Sequence, residues 1–434
     1  MSKKIVALMS ALVMLTACSA KKPQEQSAVQ TVVDMETVSA VMQTQEQTEY
    51  ETIFDATTFE QTKETTAAQV KATTTAKQTL AKTTAKVQAS STTKPPQKET
   101  QTQTSGKSET VRAVWVTCYE FSGLLSGGES SFNQKAQQLV DNCVKNNINT
   151  LFLQVRPYFD AFYPSEIFNW STYALDKQGN PPSFDPLKIF VSCAHSKGVD
   201  LHAWINPYRI SYDKDYKVDK KYADFTVTCD AGVYLLPSST ESQKLVLSGV
   251  REILNNYDVD GIHIDDYFYP TASKEFDAKH YKAYTDNGGK LTRNAWRQSN
   301  VNSLVSSIYS LVHSLKSDAI FSISPAADIE KDKTVHCANV ELWCMEKGYA
   351  DWIIPQMYYG FENEKMPFLS VASQWEKLAS NGQVKLICGL AAYKDGKVDE
   401  YAGTGKNEWK ENADIIERQI KYATSSDKWC GYSM

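Results

Sequence analysis

The stretch DGIHIDDYFYP (Asp260 to Pro270) begins as a buried strand would and ends in two adjacent acids, three aromatics and a proline. In a strand, successive side chains point to opposite faces. If Ile262 and Ile264 pack against helices, then His263, Asp265 and Tyr267 line the other, inner face, and Asp266 turns toward the rim. An unpaired carboxylate costs several kcal/mol to desolvate. Acids placed directly behind an apolar run therefore either cap the next element or sit at the mouth of a pocket and do chemistry there. An interior His263 is expected to be hydrogen-bonded to its neighbours rather than catalytic.

On either side of this stretch, apolar runs alternate with helix-length amphipathic segments, the order that gives a parallel sheet with crossover helices. VRAVWVTC, NTLFLQVR, VDLHAWINP, DGIHIDD, FSISPAAD, ADWIIPQMYYG and VKLICGLAAY read as seven strands, and WCGYSM as an eighth. The first helix is expected over FNQKAQQLVDNCVKNN with Ser131 as its cap. DPLKIFVSCAHSKG opens with Pro186 in its first turn and closes at Gly198. The fold class is α/β, a (β/α)8 TIM barrel over residues 111–434. The last strand is short and the sequence stops inside it at Met434, so the expectation is a barrel cut short in strand 8, either unsealed or incomplete. A doubly wound open sheet is the alternative, disfavoured because no Gly-rich phosphate loop follows the first strand.

A TIM barrel carries its active site at the carboxyl ends of its strands, where polar residues do gather in this sequence. Arg156, Tyr158 and Asp160 follow the second strand; Trp204, Asn206 and Arg209 close the third; Asp265, Asp266 and Tyr267 the fourth; Asp328 the fifth; Gln356 and Tyr358 the sixth. Carboxylates, an amide, arginine and aromatic faces together suit a carbohydrate, because rings cover the apolar faces of sugars while fixed donors and acceptors read hydroxyls. Cleaving a glycosidic bond takes two carboxyls, one protonated and one ionised. Asp265 is the first, as nucleophile or base. Asp160, Glu166, Asp266 and Asp328 compete for the second place. Arg156, Tyr158, Trp204, Asn206, Arg209, Tyr267, Gln356 and Tyr358 are the expected substrate contacts.

Ahead of the barrel, MSKKIVALMSALVMLTACSA has a basic start and a short apolar core, a secretory signal rather than a spanning helix. Leu15-Thr16-Ala17-Cys18 resembles a bacterial lipobox, so Cys18 is the expected lipidation site and residues 1–18 the signal. Residues 19–110 are rich in Thr, Gln and Lys and poor in large apolar residues, as a disordered tether would be. The chain is thus expected to be exported and lipid-anchored at the outer face of a bacterial cell membrane. All nine tryptophans lie between Trp115 and Trp429. A net charge of −5 with no basic stripe argues against a nucleic acid partner. Nine cysteines without a C-x-x-C pair argue against a zinc site.

RAVWVTCYEF, LFLQVRPYFDAFYPSEI, LHAWINPYR, DGIHIDDYFYP, FSISPA and IIPQMYYG, in this order, resemble the glycosyl hydrolase-like 10 family. The resemblance implies a (β/α)8 barrel, exported or lipid-anchored in bacteria, acting as a glycosidase on peptidoglycan glycan strands, notably strands stripped of stem peptides. It places the family's strand-four acids at Asp265 and Asp266 and its second-strand loop acid at Asp160. Gln356 stands at the end of strand six, where several related barrel glycosidases keep their acid/base. The motif is also similar to that of family-18 chitinases, but His263 replaces an Asp and Tyr267 the catalytic Glu, so that mechanism does not carry over. No cofactor is implied. Two other readings stand beside the glycosidase: a tethered carbohydrate-binding protein without a competent acid pair, and a metal-dependent hydrolase using His202 and His263.

Overall fold

The computed structural model describes residues 110–434. The signal segment, Cys18 and the linker up to residue 109 lie outside the described residues. Eight parallel strands form a closed barrel in the order β1-β8-β7-β6-β5-β4-β3-β2. They are β1 (Val111–Val116), β2 (Thr150–Arg156), β3 (Asp200–Ile205), β4 (Gly261–Ile264), β5 (Ile320–Ile323), β6 (Trp352–Ile353), β7 (Lys385–Gly389) and β8 (Trp429–Ser433). Strands covered on both faces are apolar almost throughout, and every residue of β2 is buried.

The alternation divides the sheet as the sequence implies. Leu151, Leu153, Ile262 and Ile264 join the large core beneath the helices. Val111, Ala113, Phe152, Trp352, Ile354 and Ile387 form a separate cluster, and His263 lies among its rings, 4.4 Å from the centroid of Phe152. Trp115 Nε1 donates to His263 Nε2 at 3.1 Å, and His263 Nδ1 lies 2.9 Å from Ser322 Oγ. The ring is therefore neutral with its proton on Nδ1, and burial holds its pKa well below the usual histidine range. Burial also lowers His202, stacked on Trp352, to about 4. Both nitrogens of His263 are taken by protein groups, which leaves none for a metal shared with His202.

The expected gap at the eighth strand is corrected. β8 pairs with β1 through Val111↔Gly431, Arg112↔Tyr432 and Ala113↔Ser433, and with β7 on its other side. Trp115 N donates to the Met434 carbonyl at 2.9 Å and Met434 N to Ala113 at 3.1 Å. Five residues suffice to seal the seam because Gly431 lets the two backbones meet. Its φ is +145°, and a β-carbon there would fall on the carbonyl oxygen of Val111.

The helices follow the expected punctuation, with one shift. In the helix Pro186–His195, Asp185 Oδ1 accepts from Lys188 N at 3.0 Å, and Gly198 turns the chain at φ +70°. The first long helix begins earlier than expected, running Gly128–Lys145 behind Gly127 at φ +95°, with Glu129 in its first turn. Ser131 is inside the helix, not its cap. A short helix, Cys118–Leu124, also follows β1. Loops after β2 and β3 carry strands of their own, Asp160–Ala161 with Asn169–Trp170, and an antiparallel trio of Arg209–Ser211, Gly232–Leu235 and Thr226–Cys229.

Candidate active site

Asp265 leaves the end of β4 buried, at 3% exposure. Trp204 Nε1, from β3 next door, donates to its Oδ2 at 2.9 Å, and Tyr267 N approaches its Oδ1 at 3.4 Å. Burial pushes the Asp265 pKa up to about 7, the neighbouring Asp266 adds to the rise, and Trp204, Arg209 and Tyr267 N oppose it. Desolvation penalises the charged form, and a second carboxylate nearby penalises it again. This is the environment that keeps a carboxylic acid protonated near neutral pH.

At this end of the barrel lie residues that follow β2, β3, β4 and β6. The Arg209 guanidinium lies over the Tyr267 ring at 3.8 Å and near that of Tyr158 at 4.8 Å. Tyr158 also packs toward Tyr173 and Tyr212. Asn206, fully buried, shapes the turn that delivers Arg209: its Oδ1 accepts from Tyr208 N at 3.3 Å and Arg209 N at 3.1 Å. Tyr358 meets Trp115 edge-on at 6.4 Å and Tyr393 at 6.1 Å. Gln356 bridges β5 and β7 through its backbone and donates its side-chain amide to Ser324 O at 3.0 Å. Asp266, expected at the rim, is buried as well, at 4% exposure.

One residue expected at the mouth, Arg156, is placed elsewhere. Arg156 turns to the helix side of the sheet, its guanidinium 4.0 Å above Phe168 and beside Gly249 of the helix Thr240–Asn256. The pairing of β2 with β3 slips by one residue between Gln154 and Arg156, and one extra residue moves a side chain to the opposite face. The same observation makes Gly249 sensitive. A β-carbon there would stand 2.6 Å from Arg156 Nη1 and 2.7 Å from Phe168. Gly249→Ala should cost about 1–3 kcal/mol in urea unfolding, and an unchanged midpoint would contradict this placement of Arg156. Asp160 serves its own loop: burial raises its pKa, while Ser171 and Tyr158 N bond to it and Arg156 faces it. Of the other two acids, Glu166 is exposed, on the loop held by Glu252, and Asp328 caps its own short helix, its Oδ1 accepting from Glu330 N and Lys331 N.

The glycosyl hydrolase-like 10 family matches residues 110–402. The chain belongs to that family. It is 31% identical over 313 residues to the glycosyl hydrolase YngK of Bacillus subtilis strain 168, covering 65% of this chain and 61% of YngK. It is 28% identical over 335 residues to the glycosyl hydrolase DigH of Escherichia coli K12, covering 68% of this chain and 76% of DigH. Among solved structures, the glycoside hydrolase domain of PgaB from Bordetella bronchiseptica superposes with a TM-score of 0.49 at 11% identity, over 75% of this chain and 93% of that domain.

This member of the glycosyl hydrolase-like 10 family also holds a buried pair that the sequence reading passed over. Asp332 is fully buried after β5, its Oδ1 3.0 Å from Nδ1 of His336. Burial pushes its pKa up to about 7, with His336 opposing the rise and Asp266 adding to it. The signal available in the sequence was a spacing of four between Asp332 and His336 just past a strand end.

Proposed function

We propose that this chain is a glycoside hydrolase of cell-wall glycan, exported and tethered through a lipid on Cys18. The observation that carries the reading is Asp265, buried at the barrel mouth and held protonated to about pH 7 beside a second buried acid, Asp266. Burial gives Asp265 the part of general acid rather than the nucleophile or base expected of it. It donates its proton to the glycosidic oxygen as that oxygen departs. Trp204 Nε1 holds the carboxyl in place, and Asp266 is the second carboxyl, the one that either attacks the sugar or activates water. Tyr158, Tyr267 and Tyr358 offer ring faces, Arg209 and Gln356 offer polar contacts to hydroxyls, and the buried Asn206 holds the turn that carries Arg209. Asp160 supports the loop that presents Tyr158. Family membership and the aromatic surroundings favour a glycan substrate, and the resemblance favours peptidoglycan strands stripped of stem peptides. The expected absence of a cofactor is kept in this reading.

A general acid with a pKa near 7 is active below that value and lost above it. The release of reducing ends from stripped peptidoglycan should therefore fall about tenfold per pH unit above pH 7. Rates measured from pH 5 to pH 9 check this. A rate that stays level to pH 9 would remove Asp265 from the role of acid.

A further inference from the structure

Residues Asp332–His336 form a π-helical turn just beyond β5, closed by Cys337 in the left-handed region at φ 53°. Such turns are costly and concentrate at functional sites. This one is anchored to the DDYFYP segment, since Tyr269 N donates to the His336 carbonyl at 3.1 Å. Ala338 N donates back to the Asp332 carbonyl at 2.8 Å and fixes the turn from below. Asp332 spends one carboxylate oxygen on His336, and its Oδ2, fully buried, has no hydrogen-bond partner among the described residues. The His336 side chain is 11% exposed, and Nε2 makes no hydrogen bond to any described residue. An aspartate seated on Nδ1 with Nε2 left open is the arrangement by which proteins aim a histidine at a ligand.

We propose that Asp332 and His336 are a second working unit of this mouth, in which Asp332 orients the imidazole and His336 presents Nε2 as a hydrogen-bond contact to a sugar ring held beside Asp266. Asp332 is the positioning residue, and His336 touches the glycan. The proposal takes the class of ligand, a glycan, from the glycosidase reading. The charged and titratable groups facing Asp332 are His336 and Lys331 from its own segment, Asp266 from the loop after β4, and Tyr359 from the loop after β6. While the pair holds its shared proton, Nε2 carries hydrogen and donates to a sugar oxygen. Once that proton is lost, Nδ1 keeps its hydrogen against Asp332 and Nε2 can only accept. Burial favours the protonated Asp332 up to about pH 7, so the donor form is the one present in mildly acidic solution.

The chain has six histidines, few enough for their ring nitrogens to be resolved by 15N NMR, with His336→Gln assigning the signal. The probe is the N-acetylglucosamine tetramer at pH 6. Saturating sugar should shift the His336 Nε2 signal, and His336→Gln should weaken binding about tenfold. Asp332→Asn should disturb the Nδ1 signal and reproduce much of that loss, while the folded chain keeps its cooperative melting transition. Sugar binding that leaves the His336 signal still and the affinity of His336→Gln unchanged would overturn the proposal. Reducing-end release, followed in parallel, separates the two readings. Normal cleavage by His336→Gln and Asp332→Asn removes the dyad and keeps the glycosidase. A parent chain that binds the tetramer through His336 but cuts no glycan keeps the contact and removes the glycosidase. A parent that neither binds nor cuts removes both.

Discussion

Asp265→Asn should abolish glycan cleavage, by about a thousandfold or more, while making the folded chain more stable at pH 8. The two effects come from one cause. Asp265 has its pKa raised to about 7 chiefly by burial, whereas an unfolded aspartate titrates near 4. A group whose folded pKa is raised stabilises the fold fully below the unfolded pKa, and that contribution is lost as the pH climbs through the folded value. Between pH 4 and pH 7 the protein therefore gives up stability to keep this carboxyl in the mouth, on the order of 2 to 4 kcal/mol. Asparagine keeps the size and can still accept from Trp204 Nε1, but it carries no charge to desolvate and no proton to give. Calorimetric melting at pH 4 and pH 8 checks the stability half: little difference from the parent at pH 4, a higher Tm at pH 8. A variant less stable at pH 8 would mean that the Asp265 carboxylate is well solvated or paired, and the acid role would go with it.

Gly431→Ala should be the most damaging single methyl in the barrel. Gly431 sits at φ +145°, where a side chain is strained whatever the space, and its β-carbon would meet the backbone of Val111 rather than a movable side chain. To make room, β8 must part from β1, which opens the seam paired through residues 111–113 and 431–433. The expected loss is more than about 4 kcal/mol, the range reached when strain and lost pairing act together. Gly123→Ala is the control, because a β-carbon there meets nothing within 4 Å and the residue lies in the helix Cys118–Leu124. It should be neutral or stabilising by up to about 1 kcal/mol. Urea unfolding of the three chains makes the comparison. Equal midpoints for Gly431→Ala and the parent would show that β8 does not seal the barrel.

The alternation of Ile262 and Ile264 with His263 and Asp265 was legible because a buried strand has a period of two and both faces here are committed. Asp185, Pro186 and Gly198 marked their helix because capping chemistry is local. What escaped the sequence was set by geometry between distant segments. Arg156 changed face through a single slip in the β2–β3 pairing, which no run of residue types announces. Asp266 was expected at the rim but is 4% exposed, on a segment whose Tyr269 is tied to the His336 carbonyl of the turn after β5. Asp332 and His336 have the spacing of a helical pair, but the significance of that pair depends on Asp266 and Tyr269, which belong to another strand's loop. The eighth strand looked too short because strand length was judged alone, without the close approach that Gly431 permits.

If the buried acids at the end of β4 cut a glycosidic bond, the cut leaves a new reducing end. The most direct test is to incubate purified peptidoglycan, intact and stripped of stem peptides, with the chain at pH 6 and to identify the released fragments by mass spectrometry after reduction with borodeuteride. New deuterium-labelled reducing ends are expected, more from the stripped glycan than from the intact wall. Glycan recovered at its original length with the protein bound to it would rule out cleavage by these acids and leave a tethered binding protein in its place.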